Sequence, residues 1–132
     1  LFDVMLSVTK SLESNSLMFA NFVDFDSEFG HQRDPLGYAS ALESFDARLP
    51  EFLSLLDPED LVIFTADHGN DPTWYGSDHT REQVPILVKY GDRSGTAIGL
   101  RDMADVGATI ADYLGISLPQ HGCSFLPTVR SS

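Results

Sequence analysis

Five side chains of the types that bind divalent metals stand in two short stretches of the sequence. They are Asp26, His31, Asp67, His68 and His79, and they include three of the four histidines. Carboxylate oxygens combined with imidazole nitrogens suit Mn²⁺, Zn²⁺ or iron. Two such ions close together can clamp an in-line phosphoryl transfer. The residue types therefore favour two partial metal shells, with positions left open for other protein groups and a substrate.

The same residues also have ordinary structural explanations. An Asp at the end of a strand usually forms a turn or caps a helix, and adjacent Asp-His pairs are common in loops. Spacing alone leaves both interpretations open. Asp24 alternates with Asp26 along the chain. We choose Asp26 as the ligand because it lies further beyond the predicted strand, with Asp24 as a cap or as a hydrogen-bonding partner of the ligands.

Two longer motifs favour the metal site. The runs NFVDFDSEFGHQRD (21–34) and TADHGNDPTWYGSDHTRE (65–82) resemble the metal-binding stretches of the phosphopentomutases, which belong to the alkaline phosphatase superfamily. The run GYASALESFDARLPEF (37–52) is similar to the family's helix between the two motifs. The resemblance extends over most of the chain, and the second motif is long and specific.

The resemblance implies a ligand set and a reaction. Asp67 and His68 would bind one metal, and Asp26, His31 and His79 the other. The implied cofactors are two Mn²⁺ ions, replaceable by another divalent metal. The implied reaction interconverts ribose 1-phosphate and ribose 5-phosphate, and their 2-deoxy counterparts. It passes through a phosphorylated enzyme and a sugar bisphosphate.

The departures from the family pattern are equally informative. The family has an N-terminal strand with a further Asp ligand, a nucleophilic Thr and an inserted cap domain, and none of these is recognisable here. Thr65, Thr73 and Thr80 do not stand in a nucleophile-like context. The chain is therefore predicted to be a C-terminal fragment of the catalytic core that supplies most of the metal ligands. By itself it is expected to be inactive, with no catalytic nucleophile among its residues.

Other functions remain open from the sequence. Asn70, which follows Asp-His-Gly, is also similar to the cofactor-independent phosphoglycerate mutases of the same superfamily. A metal-dependent phosphohydrolase and a non-catalytic metal-binding module are further alternatives. Arg81 could bind a phosphate, but pairing with Asp78 or Glu82 is the more ordinary role. His121 and Cys123 have no predicted partner and are interpreted as inert.

Alternating helix and strand patterns surround the candidate ligands. Apolar spacing predicts helices over 1–13, 34–53 (bent or interrupted at Pro50) and 102–114, and short apolar runs predict strands at 17–23, 61–64 and 86–90. This order is typical of an α/β protein. We predict a three-layer sandwich with a mainly parallel sheet, an incomplete alkaline-phosphatase-like core forming one domain over 1–132. Its candidate ligands would follow the carboxyl ends of strands, where open α/β sheets bind ligands.

Composition limits the classes of partner. The 132 residues carry a formal net charge of −12 and are 42% hydrophobic, which fits a folded chain and disfavours nucleic acid or an anionic membrane as partner. A chain this acidic can bind a phosphorylated pentose only where bound metal ions make the local electrostatic potential positive. The single Cys123 predicts a reducing, cytoplasmic setting. Exposed sheet edges could drive self-association.

Overall fold

The computed structural model describes residues 1–93 and 95–131, and the chain forms two compact units. Leu1–Leu56 and Ala66–Pro85 form the first, here called the ligand unit, and Asp57–Thr65 with Ile86–Ser132 form the second, the sheet unit. All five candidate metal ligands belong to the ligand unit. The prediction of one domain stays a prediction.

Two helices frame the ligand unit. Helix α1 spans Phe2–Thr9, shorter than predicted, and the chain turns at residues 10–11. Helix α2 spans Pro35–Leu53, and the Asp34 side chain caps it by accepting the Gly37 N–H. The predicted interruption at Pro50 is wrong. That proline lies in the last turn, where the helix loses one donor and ends three residues later.

The strand predicted at 17–23 is not present in the described structure. Its side chains alternate between exposed and half-buried, but no strand pairs with its backbone. Phe22 instead packs against the rings of Phe2 and Phe45, with centroids 6.0 and 5.0 Å away. The apolar run at 17–23 therefore reflects aromatic packing of Phe22 and not strand pairing. A single π-helical turn, Phe25–Gly30, follows where a loop was predicted.

The sheet unit contains two short strands in an antiparallel pair. Strand β1 spans Leu61–Phe64 and strand β2 spans Leu87–Tyr90, with Leu61 opposite Tyr90. The prediction of a mainly parallel sheet is wrong for these strands. Parallel neighbours need a crossover, usually a helix, and residues 65–86 contain no helix. The observed architecture is mixed α/β with a two-stranded sheet, and the three-layer sandwich is not confirmed.

Helix α3, Met103–Tyr113, matches the prediction, whereas helix α4, Leu126–Arg130, was not predicted. The Asp105 carboxylate accepts the Asp102 N–H at 3.2 Å, which caps α3. The buried residues in the described part of this unit are Gly91, Asp105, Ala108, Thr109, Ala111, Phe125, Leu126 and Val129. No helix in the described part of the chain is both long and apolar enough to cross a membrane.

Candidate metal centre

Three of the five predicted ligands converge on one point of the ligand unit. The Nε2 atoms of His31 and His79 lie 3.1 Å apart. One Asp26 oxygen lies 3.4 Å from His31 Nε2, and the other lies 3.4 Å from His79 Nε2. Donor atoms about 2.1 Å from a common ion lie about 3.0–3.4 Å from one another, from octahedral to tetrahedral geometry. The two Asp26 distances run to different oxygens, and with one donor atom taken from each residue the three atoms lie within 4.8 Å of one another. This group of three side chains, called the donor triangle below, is one that a single divalent ion can bind after a small turn of the carboxylate.

The π-helical turn explains how Asp26 and His31 come together. The His31 N–H bonds to the Asp26 carbonyl at 2.9 Å, so the two residues stand one wide turn apart on the same segment. π-helical turns occur frequently at functional sites. A loop would leave the two side chains free to diverge, whereas the turn fixes their separation. The third predicted ligand, His79, lies in the loop that follows Gly69.

Neighbouring groups favour the ionised carboxylate of Asp26, which is the form that binds a metal. Partial burial raises the pKa of this carboxyl, but the Asn70 hydrogen bond and the positive charges that His31, His79 and His68 carry when protonated outweigh burial and hold the pKa below its usual value. The side chain is only 35% exposed. Asp26 is therefore ionised at neutral pH and ready to bind a cation.

A backbone carbonyl orients His31. Its Nδ1 atom contacts the Ser77 carbonyl oxygen, which can only accept a hydrogen bond, so Nδ1 carries the proton. Nε2 then presents its lone pair toward Asp26 and His79. Metal-binding histidines are commonly oriented by such a partner on the opposite ring nitrogen. The contact thus leaves His31 in the tautomer that a metal requires.

Asn70 orients the Asp26 carboxylate in the same way that the Ser77 carbonyl orients His31. Its amide donates to one Asp26 oxygen at 2.6 Å, which fixes the direction of the carboxylate. Gly30 makes this approach possible, because a Cβ at that position would lie 2.5 Å from the Asn70 amide nitrogen. Any larger residue at position 30 would push Asn70 away from Asp26.

The remaining pair, Asp67 and His68, lies beside this group without joining it. The His68 ring stacks on His79 with centroids 3.7 Å apart, and His68 Nε2 lies 3.7 Å from an Asp67 oxygen. The Asp67 side chain is 82% exposed. Among the described residues, Asp26, His31 and His79 form the one cluster of three metal-binding side chains. Asp67 and His68 offer two donors next to it.

The loop between His68 and Arg81 is closed at its base. The Thr80 N–H bonds to the Gly69 carbonyl at 3.0 Å, and the Thr80 hydroxyl accepts the Asp71 N–H at 2.6 Å. Thr80 is thus a structural residue of the loop. Beside His79 lies an open cleft of about 310 Å³, lined by Trp74, His79, Thr80, Arg81 and Glu82. In the described part of the chain, Arg81 makes no ion pair with the carboxylates of Asp78 or Glu82.

Sequence reasoning missed two residues of the site. Asn70 was noted only as a family marker, although its position directly after Asp-His-Gly placed it next to predicted ligands. Arg33 lies inside the first motif, 21–34, but the sequence analysis assigned it no role. In the structure its guanidinium donates to the Asn70 side-chain oxygen at 2.6 Å and to the Asp71 carbonyl at 2.8 Å.

Comparisons with known proteins match most of the chain. A family model described as "Metalloenzyme superfamily" matches residues 2–118. The chain is 54% identical over 127 residues to the phosphopentomutase of Shewanella frigidimarina. It is 56% identical over 128 residues to that of Legionella pneumophila strain Philadelphia 1. In both comparisons the match covers 96% of this chain and 31% of the relative.

The chain thus spans about a third of the length of the curated relatives it matches. This coverage gives the length of the corresponding segment, and it does not confirm the predicted place of the chain at the C-terminal end of those relatives.

Proposed function

The chain belongs to the Metalloenzyme superfamily, and from that premise we propose that it is the metal-binding part of a phosphopentomutase. Membership implies that it binds a divalent metal. The observation that carries the proposal is the donor triangle of Asp26, His31 and His79. The two imidazole Nε2 atoms lie 3.1 Å apart, and each lies 3.4 Å from one of the two Asp26 oxygens. The high identity to phosphopentomutases across 96% of the chain supports that choice of reaction.

The proposed reaction moves a phosphoryl group between the 1- and 5-oxygens of ribose or deoxyribose, through a phosphorylated enzyme and a sugar bisphosphate. Two Mn²⁺ ions would neutralise phosphoryl oxygens and lower the pKa of a bound alcohol. In this proposal Asp26, His31 and His79 hold one ion, and Asp67 with His68 contribute to the second. No residue of this chain is assigned as the nucleophile.

The chain's own residues would do three things in such a reaction. Asp26 and the imidazoles of His31 and His79 would bind the metal ion, because their donor atoms already lie close together. Asn70 and the Ser77 carbonyl would keep Asp26 and His31 in their binding directions. The cleft beside His79 would admit the phosphorylated sugar. Its Arg81 is the cationic side chain in that lining and would face a phosphate.

The first test of the proposal is a calorimetric titration of Mn²⁺ into the metal-stripped full-length protein. His79→Ala is the informative variant, and His121→Ala, which changes a histidine outside the ligand unit, is its control. We expect saturable binding that His79→Ala weakens and His121→Ala leaves unchanged. Equal binding by wild type and His79→Ala would remove His79 from the site.

The second test is turnover. The full-length protein with Mn²⁺ should convert ribose 1-phosphate to ribose 5-phosphate, and 3-phosphoglycerate should be left unchanged. Conversion of the phosphoglycerate with no action on the pentose would overturn the pentomutase assignment while leaving the metal site intact.

A further inference from the structure

Arg33 has an unusual backbone conformation two residues after the proposed ligand His31. Its φ is +54°, in the left-handed region that residues other than glycine seldom adopt. The Arg33 N–H bonds to the Gly30 carbonyl at 3.1 Å. This tight turn follows the π-helical turn and sends the Arg33 side chain to the loop between His68 and Arg81. Such a conformation persists only where the surrounding contacts hold it.

The Arg33 guanidinium is engaged by neutral oxygens. Nη1 donates to the Gly30 carbonyl at 3.0 Å, to the Asn70 side-chain oxygen at 2.6 Å and to the Asp71 carbonyl at 2.8 Å. Nε donates to the Gly76 carbonyl and Nη2 to the Asp78 carbonyl. No carboxylate in the described part of the chain forms an ion pair with it. The contacts therefore differ from those of an ordinary surface ion pair.

Each of the three proposed ligands is connected to Arg33 through a residue that Arg33 contacts. Asn70, which accepts from Arg33, donates to Asp26. Gly76 and Asp78, whose carbonyls accept from Arg33, flank Ser77, whose own carbonyl holds His31 Nδ1. Asp78 also directly precedes His79. One side chain thus braces the carboxylate, the first imidazole and the backbone that delivers the second imidazole.

We propose that Arg33 is a positioning residue that holds the Asp26, His31 and His79 triangle in its binding geometry before an ion arrives. It acts through Asn70 and the 76–78 backbone and does not touch the ion or a substrate. A guanidinium suits this task because it offers five N–H donors in a rigid plane, whereas the ammonium of lysine offers three on a flexible stem. The inference rests on the proposed metal site.

The test compares Arg33→Lys with Arg48→Lys in the full-length protein. Both changes keep the charge and remove the planar fork, but Arg48 pairs with Asp3 and Glu51 on the helices. We expect Arg33→Lys to weaken Mn²⁺ affinity about 10- to 100-fold, the usual effect of losing a group that orients metal ligands. Arg48→Lys should leave the affinity unchanged. The visible spectrum of Co²⁺-loaded Arg33→Lys should also shift from that of wild type, because the ligand directions change.

A second variant covers the case in which Arg33→Lys fails to fold, as judged by thermal unfolding without metal. Asn70→Ala removes one bracing connection and leaves the guanidinium's carbonyl bonds in place. It should also weaken Mn²⁺ binding and shift the Co²⁺ spectrum. Unchanged affinity and spectrum in a folded Arg33→Lys or Asn70→Ala protein would overturn the positioning role while the metal site stands. Mn²⁺ binding that His79→Ala does not weaken would instead remove the site itself.

Discussion

At the scale of single residues, the donor distances divide the candidate ligands into a group of three and a pair. Asp26, His31 and His79 each bring a donor atom to one group within 4.8 Å, whereas Asp67 and His68 approach each other at 3.7 Å and leave more positions open. Affinity rises with the number of donors that are already in place, because fewer side chains must be ordered on binding. We therefore expect two classes of Mn²⁺ site, a tighter one at Asp26, His31 and His79 and a weaker one at Asp67 and His68.

We expect His68→Ala to leave the tighter Mn²⁺ site occupied and to remove or weaken the weaker one. His79→Ala should have the opposite effect and abolish the tighter class. Calorimetry at two protein concentrations, with the stoichiometry fitted freely, separates the two classes. A His68→Ala protein that lost the tighter class would show that His68 belongs to the triangle and that its stacking on His79 gives way when an ion binds.

The candidate ligands could be proposed from the sequence because their residue types and motifs are local. The choice of Asp26 over Asp24 followed from position, and the structure brings Asp26 to the two histidines. The bracing groups could not be found in this way. Arg33 acts on residues 37 to 45 positions away, and such a contact leaves no periodicity or motif in the chain.

At the scale of elements, a buried threonine ties helix α3 to the segment that enters α4. The Thr109 hydroxyl donates to the Asp105 carbonyl at 2.7 Å and accepts the Phe125 N–H at 3.0 Å. Thr109 is 0% exposed. The sequence analysis assigned no role to Thr109 and predicted no helix after residue 114, so neither the contact nor α4 was predicted.

Thr109→Val should lower the free energy of unfolding by about 1–3 kcal/mol, because valine keeps the shape but leaves the buried Phe125 N–H without an acceptor. Thr96→Val, at an exposed position, is the matched control and should change stability little. Urea unfolding of both variants provides the measurement. A Thr109→Val protein as stable as wild type would mean that the N–H finds another acceptor.

Helices α1 and α2 are joined by an exposed ion pair whose contribution depends on pH. Arg48 donates to Asp3 at 2.7 Å, and this hydrogen bond together with the Arg48 charge lowers the pKa of Asp3. A lowered folded-state pKa means that the stabilisation is present above the unfolded Asp value of about 3.9. It is lost as pH falls through the folded-state pKa.

Asp3→Asn should therefore melt below wild type at neutral pH and converge with it in acid. The effect should be small and should shrink in high salt, because the pair is exposed. Asp46→Asn, at another exposed acid of α2, is the control. The measurement is the melting temperature across the acid range at two salt concentrations. A difference between Asp3→Asn and wild type that stayed constant into acid would assign the effect to something other than ionisation of Asp3.

At the scale of the whole molecule, element types were easier to predict than their pairing. Three helices and two strands matched local patterns, since amphipathic spacing and apolar runs are properties of a short window. The pairing direction of β1 and β2 depends on the path of the 22 residues between them, residues 65–86, and that path is fixed by contacts such as Gly69 with Thr80. The predicted strand at 17–23 failed for the same reason, because a strand exists only with a partner.

Net charge connects the metal site with the rest of the chain. A formal charge of −12 attracts divalent cations and repels phosphorylated sugars over the distance that salt allows. A bound ion reverses the local field at the triangle, so that a phosphate can approach a surface that would otherwise reject it. Metal binding is therefore expected to come before substrate binding, and it should also stabilise the fold that presents the ligands.

Mn²⁺ should raise the free energy of unfolding by about 2.7 kcal/mol at a free concentration about 100 times the dissociation constant of the tighter site. The reason is linkage: the triangle forms only when the π-helical turn and the closed loop are folded, so the ion binds the native state in preference. Urea unfolding with and without Mn²⁺ measures the gain. His79→Ala should lose it, and His121→Ala should keep it. Saturable Mn²⁺ binding without any gain in stability would mean that the unfolded chain binds the ion equally well, and the triangle would then not be a preformed site.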